Sequence, residues 1–134
     1  MDLALSTTMV DLALCVLIWI IQIVVYPGFC FYSEEDIKRW HKVYTIRITW
    51  IVFPLMLSQL VLYAISSYLN PTSLSIGTFL LVIATWIHTL FIAVPLHNAI
   101  ERRPDSLPQR KKLVRVNWFR TLAWTLIFIL DLTQ

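Results

Sequence analysis

Charge is almost missing from the middle of this sequence. Between Ile48 and Ile100 there is no Asp, Glu, Lys or Arg, and only 14% of the 134 residues are charged. A soluble domain carries about 25%. One bilayer crossing takes about 20 apolar residues, and the uncharged stretch far exceeds that. A single soluble core could not hide so much apolar surface in a chain of this size. Glycine is also scarce, with two residues, which leaves no glycine-rich phosphate loop. The two cysteines, Cys15 and Cys30, form neither a zinc pair nor a CxxC redox pair. They would lie ~20 Å apart along a helix, too far for a disulfide within one subunit. There is no acidic dyad. No Lys or Arg precedes Lys38, whereas Asp2 and Asp11 do. A cleavable signal peptide opens with positive charge, so the first apolar segment is expected to be a permanent helix.

What remains is an all-α chain: a single four-helix transmembrane bundle over residues 1–134. Helices are expected at about 3–26, 34–68, 74–100 and 109–130. Pro27-Gly28 should end the first. Ser33, followed by Glu34-Glu35-Asp36, should cap the second, and Pro54 should kink it. Asn70-Pro71-Thr72-Ser73 reads as a tight turn, and Glu101 to Pro108 as a polar loop. All eleven Lys and Arg residues fall at one end of such a bundle, whereas Asp2, Asp11 and Asp131 fall at the other. The positive-inside rule then puts both termini outside and the basic end in the cytoplasm. The net charge of +3 is a topology signal, and nucleic acid is not a partner.

Polar residues inside apolar helices are costly and mark function by default. Gln22 and Tyr26 share a face of helix one. His41, Tyr44 and Arg47 follow one another at the entry of helix two. Trp86 and His97 share a stripe of helix three with Thr89 beside it, and Asn117, Arg120, Thr121 and Trp124 share one of helix four. All of these belong to the cytoplasmic half, so a polar cluster is expected there. The external half is nearly bare, Ser58 and Gln59 excepted. Arg120 either snorkels to the interface or turns inward onto Asn117 and Thr121. No carboxylate is expected at the depth of Arg47 and Arg120, which suits an anionic or carbonyl-bearing ligand. His41 and His97 could exchange protons, ligate haem or a metal, or only hold helices together. His88 reads as an interhelical hydrogen-bonding residue. Trp40 and Trp118 fit an interfacial belt, and the deeper Trp19, Trp50, Trp86 and Trp124 could wall a flat aromatic cavity.

Several elements stand in a familiar order: Gln22…Tyr26-Pro27, Trp40-His41-Lys42-Val43-Tyr44, Pro54-Leu55-Met56-Leu57-Ser58-Gln59, Trp86…Thr89, Val94-Pro95-Leu96-His97 and Asn117-Trp118-Phe119-Arg120-Thr121. Together they resemble a widespread group of small four-helix bacterial membrane proteins, over nearly the whole chain. More distantly, Val94-Pro95-Leu96-His97 and Asn117…Arg120 are similar to the anthrone-oxygenase-like superfamily, with His97 where that family often has asparagine. The resemblance implies a fold and a site location.

The expected function is therefore an integral protein of the bacterial inner membrane with a cytoplasm-facing intramembrane pocket. It would take a small amphipathic or aromatic molecule: quinone-like, polyketide-like or a lipid head group. An oxidoreductase or oxygenase would use His41, Tyr44 and His97 for proton chemistry. Gln22, Tyr26, Arg47, Trp86, Asn117, Arg120, Thr121 and Trp124 would bind the ligand. Two alternatives stand beside it, a non-catalytic subunit of a larger membrane complex and a haem-binding electron carrier through His41 and His97. Membrane lipid, the small ligand, and a homo-oligomer or larger complex are the expected partners; the residues name no particular cofactor and no metal site. The topology is checked by reporter fusions at Gln134 and near Asp105, which should report the outside and the cytoplasm respectively. A cytoplasmic Gln134 fusion would reverse the assignment.

Overall fold

The computed structural model describes residues 2–133. Four helices account for nearly all of them: α1 (Leu3–Phe29), α2 (Glu34–Leu69), α3 (Ser73–Arg102) and α4 (Leu107–Asp131), and each is long and apolar enough to cross a membrane. No strand occurs among the described residues. Short connections make successive helices antiparallel. Each helix packs on its two neighbours in chain order, with α4 closing the ring onto α1.

Local chemistry explains the starts. Ser33 Oγ accepts from the Asp36 N–H (3.1 Å), and Glu34, Glu35 and Asp36 occupy the positive first turn of α2. Thr72 and Ser75 form a reciprocal capping box at the start of α3, with both side chains accepting backbone N–H groups at 3.0 Å.

The ends differ from expectation. Pro27-Gly28 does not stop α1, which runs on to Phe29 through a π turn at Ile21–Val25. A second π turn, Thr89–Ala93, precedes Pro95 in α3 at the same spacing. A proline deprives the carbonyl four residues back of its donor and collides with it. Widening the preceding turn to i→i+5 relieves the collision, as the Tyr26 N–H to Ile21 O and Val94 N–H to Thr89 O bonds indicate. Consequently α3 continues to Arg102, and Glu101 is helical instead of part of a loop. Helix α2 continues through Pro54, as its expected span of 34–68 required.

The surface is apolar and much of the interior polar. Leu12, Val16, Ile20, Ile51, Leu80 and Leu126 are exposed, whereas Asp11, Gln22, His41, Gln59, Asn117 and Arg120 are buried. This suits helices held together in an apolar solvent, where small or polar contacts replace the hydrophobic drive.

Arg110 ties the basic end together. It is only 2% exposed. It donates to the carbonyls of Phe29 (2.8 Å) and Tyr32 (2.9 Å) and pairs with Glu34. Glu34 in turn accepts from Ser106 N (3.2 Å) and Ser106 Oγ (2.9 Å). The α1–α2 connection is thereby fastened to the α3–α4 connection. Arg110→Leu removes three donated bonds at once and should cost on the order of 2–3 kcal/mol, read as a lower midpoint in unfolding by denaturing detergent. An unchanged midpoint would show that this strap is dispensable.

Candidate functional site

The basic half of the bundle holds one continuous hydrogen-bonded cluster with a contribution from every helix. Glu101 Oε1 lies 2.9 Å from His41 Nδ1. His41 Nε2 lies 2.8 Å from His97 Nδ1, and His97 Nε2 lies 3.0 Å from the Tyr26 hydroxyl. Arg120 Nη2 donates to that hydroxyl at 3.1 Å. Arg120 Nε (2.9 Å) and Nη2 (2.5 Å) both donate to Asn117 Oδ1, and Nη1 donates to Thr89 Oγ1 at 3.4 Å. Asn117 Nδ2 donates to Gln22 Oε1 (2.9 Å), which also accepts from Thr121 (3.2 Å). Gln22 Nε2 reaches the Val114 carbonyl at 3.1 Å.

The two π turns aim this cluster. Tyr26 and His97 both follow a widened turn, and the extra residue rotates what comes after it by about 100°. Both side chains then meet inside the bundle. The α3 helix also brings in a residue expected in the loop. A carboxylate does accompany the histidines, because Glu101 stands one turn beyond His97 on the same face and reaches His41. Its four-residue spacing from His97 was the available signal, obscured by assigning Glu101 to a loop.

Arg47 is a second correction. It is exposed on α2 and stands apart from the cluster. Spacings of three drift around a helix with 3.6 residues per turn, so Arg47 leaves the face that His41 and Tyr44 keep. Trp50 is likewise exposed, at 79%. His88 stacks on Phe119 with ring centroids 4.9 Å apart.

Beside the cluster lies a cavity of about 380 Å³. Ile18, Ile48, Val52, Met56 and Leu90 give it apolar walls. Tyr26, Tyr44, His97 and Arg120 form its polar end, Asn98 and the Glu101 carboxylate line it toward the basic end of α3, and Trp86 and Trp124 line it as well. Of its lining residues, Thr49, Phe53, Leu90, Val94 and Asn98 are exposed, so its mouth faces sideways between α2 and α3 and reaches toward the basic end. Two groups in its wall, Tyr44 Oη beside Tyr26 and Trp86 Nε1, are buried without a well-formed hydrogen bond. Buried polar atoms normally have partners, so both are free to meet a bound molecule.

The opposite half holds a second polar group, of which the sequence pattern marks only Gln59. Asp11 is 1% exposed. It accepts from Gln59 Nε2 and from Tyr63 Oη, each at 2.6 Å. Gln59 Oε1 in turn accepts from Trp124 Nε1 at 3.1 Å. Asp11 served in the sequence only as a marker of the external end. Its place within an apolar run, and the four-residue spacing of Gln59 and Tyr63 on α2, were the signals.

The Arg120 guanidinium is the chemical centre. It is 5% exposed, yet its hydrogen-bond partners are Asn117, Thr89 and Tyr26, all neutral. An amide oxygen occupies the position where a carboxylate would cancel the charge. The cation therefore projects its field into the cavity, where low dielectric strengthens it. Asn117→Leu should lower stability by about 1–3 kcal/mol, since it strands Arg120 and Gln22 together. Arg47→Ala should change it by less than about 0.5 kcal/mol. Thermal unfolding of both variants in mild detergent checks the contrast, and equal losses would contradict it. No protein-family model, no curated protein and no solved structure matches this chain.

Proposed function

We propose that this is a multi-pass protein of the bacterial inner membrane, with both termini outside, that binds a small amphipathic or aromatic molecule in its cavity. The carrying observation is the union of a sideways mouth, apolar walls and a cationic, hydrogen-bonding floor. A molecule dissolved in the bilayer would enter between α2 and α3 and lay its apolar body against Ile48, Val52 and Leu90. Its oxygen would meet Arg120, with Tyr44 Oη and Trp86 Nε1 as further partners. Quinone-like and polyketide-like molecules and lipid head groups all have this form. The basic end, with Lys38, Lys42, Arg102 and Arg103, would face the cytoplasm. His97 and Tyr26 would supply the acid–base groups of an oxidoreductase or oxygenase acting there.

A second reading is a non-catalytic subunit of a larger membrane complex. It is favoured by the protein partners of Arg120, whose three nitrogens all have protein acceptors, with four of the five N–H groups used. The cluster would then fasten helices, at about 0.6–2 kcal/mol per hydrogen bond. Haem ligation by His41 and His97 would require the rings to part. Two axial bonds of about 2 Å separate ligand nitrogens by roughly 4 Å, against 2.8 Å between Nε2 and Nδ1 here.

Arg120 separates the first two readings. Under the pocket reading, Arg120→Lys and Arg120→Leu both fold but lose the molecule that co-purifies with wild type. Under the subunit reading, Arg120→Leu is tolerated or stabilising, since buried polar groups are often replaceable by apolar ones. Mass spectrometry of small molecules retained by each variant, with its thermal midpoint, decides between them. Retention by Arg120→Leu at the wild-type level would end the ligand role of this arginine.

A further inference from the structure

The direction of the hydrogen bonds in the cluster has a consequence for the kind of molecule the cavity takes. A guanidinium has only donors, and an ionised carboxylate has only acceptors. These stand at the two ends of one chain. Arg120 donates to the Tyr26 oxygen at 3.1 Å, which leaves the Tyr26 proton for His97 Nε2 at 3.0 Å. His97 then carries its own proton on Nδ1 and gives it to His41 Nε2 at 2.8 Å. His41 in turn carries its proton on Nδ1, facing Glu101 at 2.9 Å. One order of protons satisfies every bond, with both imidazoles neutral and in the same tautomer.

We propose that Tyr26, His97, His41 and Glu101 form a proton relay between the cavity and the basic end of the bundle, and that the cavity takes a molecule with an ionisable hydroxyl, a phenol or enol, held as its anion against Arg120. This rests on the pocket reading above. Shifting each proton one place toward Glu101 breaks the Tyr26 O–H bond and forms a carboxylic acid at Glu101. The imidazoles exchange protons and stay neutral. Tyr26 is left as a phenolate beside Arg120, and it recovers a proton from the ligand hydroxyl. The net change is ligand–OH plus Glu101 carboxylate to ligand oxyanion plus Glu101 acid, with both imidazoles moved from the Nδ1–H to the Nε2–H tautomer, to be reset by ring rotation or proton return, and no electron transferred.

The two ends are suited to this. The His41 side chain is fully buried, whereas that of Glu101 is 25% exposed and can pass the proton to water at the basic end. Tyr26, His97 and Arg120 line the cavity, and Glu101 lines it nearer the basic end, while His41, between His97 and Glu101, does not. The relay does not continue to the opposite half. Arg120 meets Trp124 only through the ring face, 5.9 Å from its centroid. The indole N–H donates to Gln59 and has no lone pair to accept with. The Asp11 group is thus insulated from the cavity, and the relay opens to one side alone.

The test uses the full chain in lipid nanodiscs and 4-nitro-1-naphthol, whose absorbance separates its neutral and anionic forms. Affinity is measured by titration and the rate of ionisation change by a rapid pH jump. In Glu101→Gln and His41→Phe the rate should fall about a hundredfold or more, with affinity and final ionised fraction kept in His41→Phe, whose side chain does not line the cavity. Helix fastening alone would not produce that selective loss. Equal rates in all three proteins, with binding intact, would overturn the relay and leave the pocket standing. Absence of binding to wild type would overturn the pocket reading for hydroxylated aromatics and the relay with it. Nitrogen NMR of labelled histidine in wild type tests the proton order without any variant. Both rings should be protonated on Nδ1 only, and an Nε2-protonated His97 would overturn the relay.

Discussion

Arg120 needs five N–H groups accommodated at a place where the surrounding solvent offers no acceptor. Much of the interior is arranged around that need. Asn117 turns back from one helical turn earlier and accepts from two of its nitrogens, Tyr26 comes across from α1 and Thr89 from α3. Once Asn117 faces Arg120, its amide nitrogen faces Gln22, which recruits Thr121 and the Val114 carbonyl. Each partner brings polar atoms that need partners of their own. The network therefore grows until it reaches Glu101 at the bundle end or a backbone carbonyl. Arg120's own partners are all neutral, which keeps its positive charge uncancelled beside the cavity.

The geometry depends on two local distortions. In α1 and in α3 a proline follows the last residue of a π turn by the same interval, Val25 to Pro27 and Ala93 to Pro95. A straight α-helix through either segment would swing Tyr26 or His97 away from the other. The prolines thus serve placement, and the helices run on past them because the widened turn removes the collision that would otherwise end them. The same continuation carries Glu101 into reach of His41.

Two polar groups share the core without merging. Trp124 stands between them, giving its N–H to Gln59 on one side and its ring face to Arg120 on the other. An indole can bridge in packing without bridging in protons. The charged ends are fastened separately, by Arg110 and Glu34 at the basic end and by Thr8 and Asp131, 2.5 Å apart, at the acidic end. The interior is left to neutral hydrogen bonds around one cation and one carboxylate.

Four apolar helices, their order and the gathering of every base at one end are legible along the chain, because length, hydropathy and charge are summed along it and need no partner to be read. That Gln22, Tyr26, His41, Tyr44, His97, Asn117 and Arg120 occupy one half of the bundle is legible too, since helix direction alone sets depth. Tertiary structure decided which of them meet. Arg47 drifts off the face by helical phase, Glu101 joins because α3 runs past Ile100 to Arg102, and Asp11 turns inward where Gln59 and Tyr63 receive it. The cavity, too, belongs to the packing of α2 against α3. Rotational phase across a π turn, and the interval between two helices, are relations among distant residues, and no local pattern in the chain encodes them.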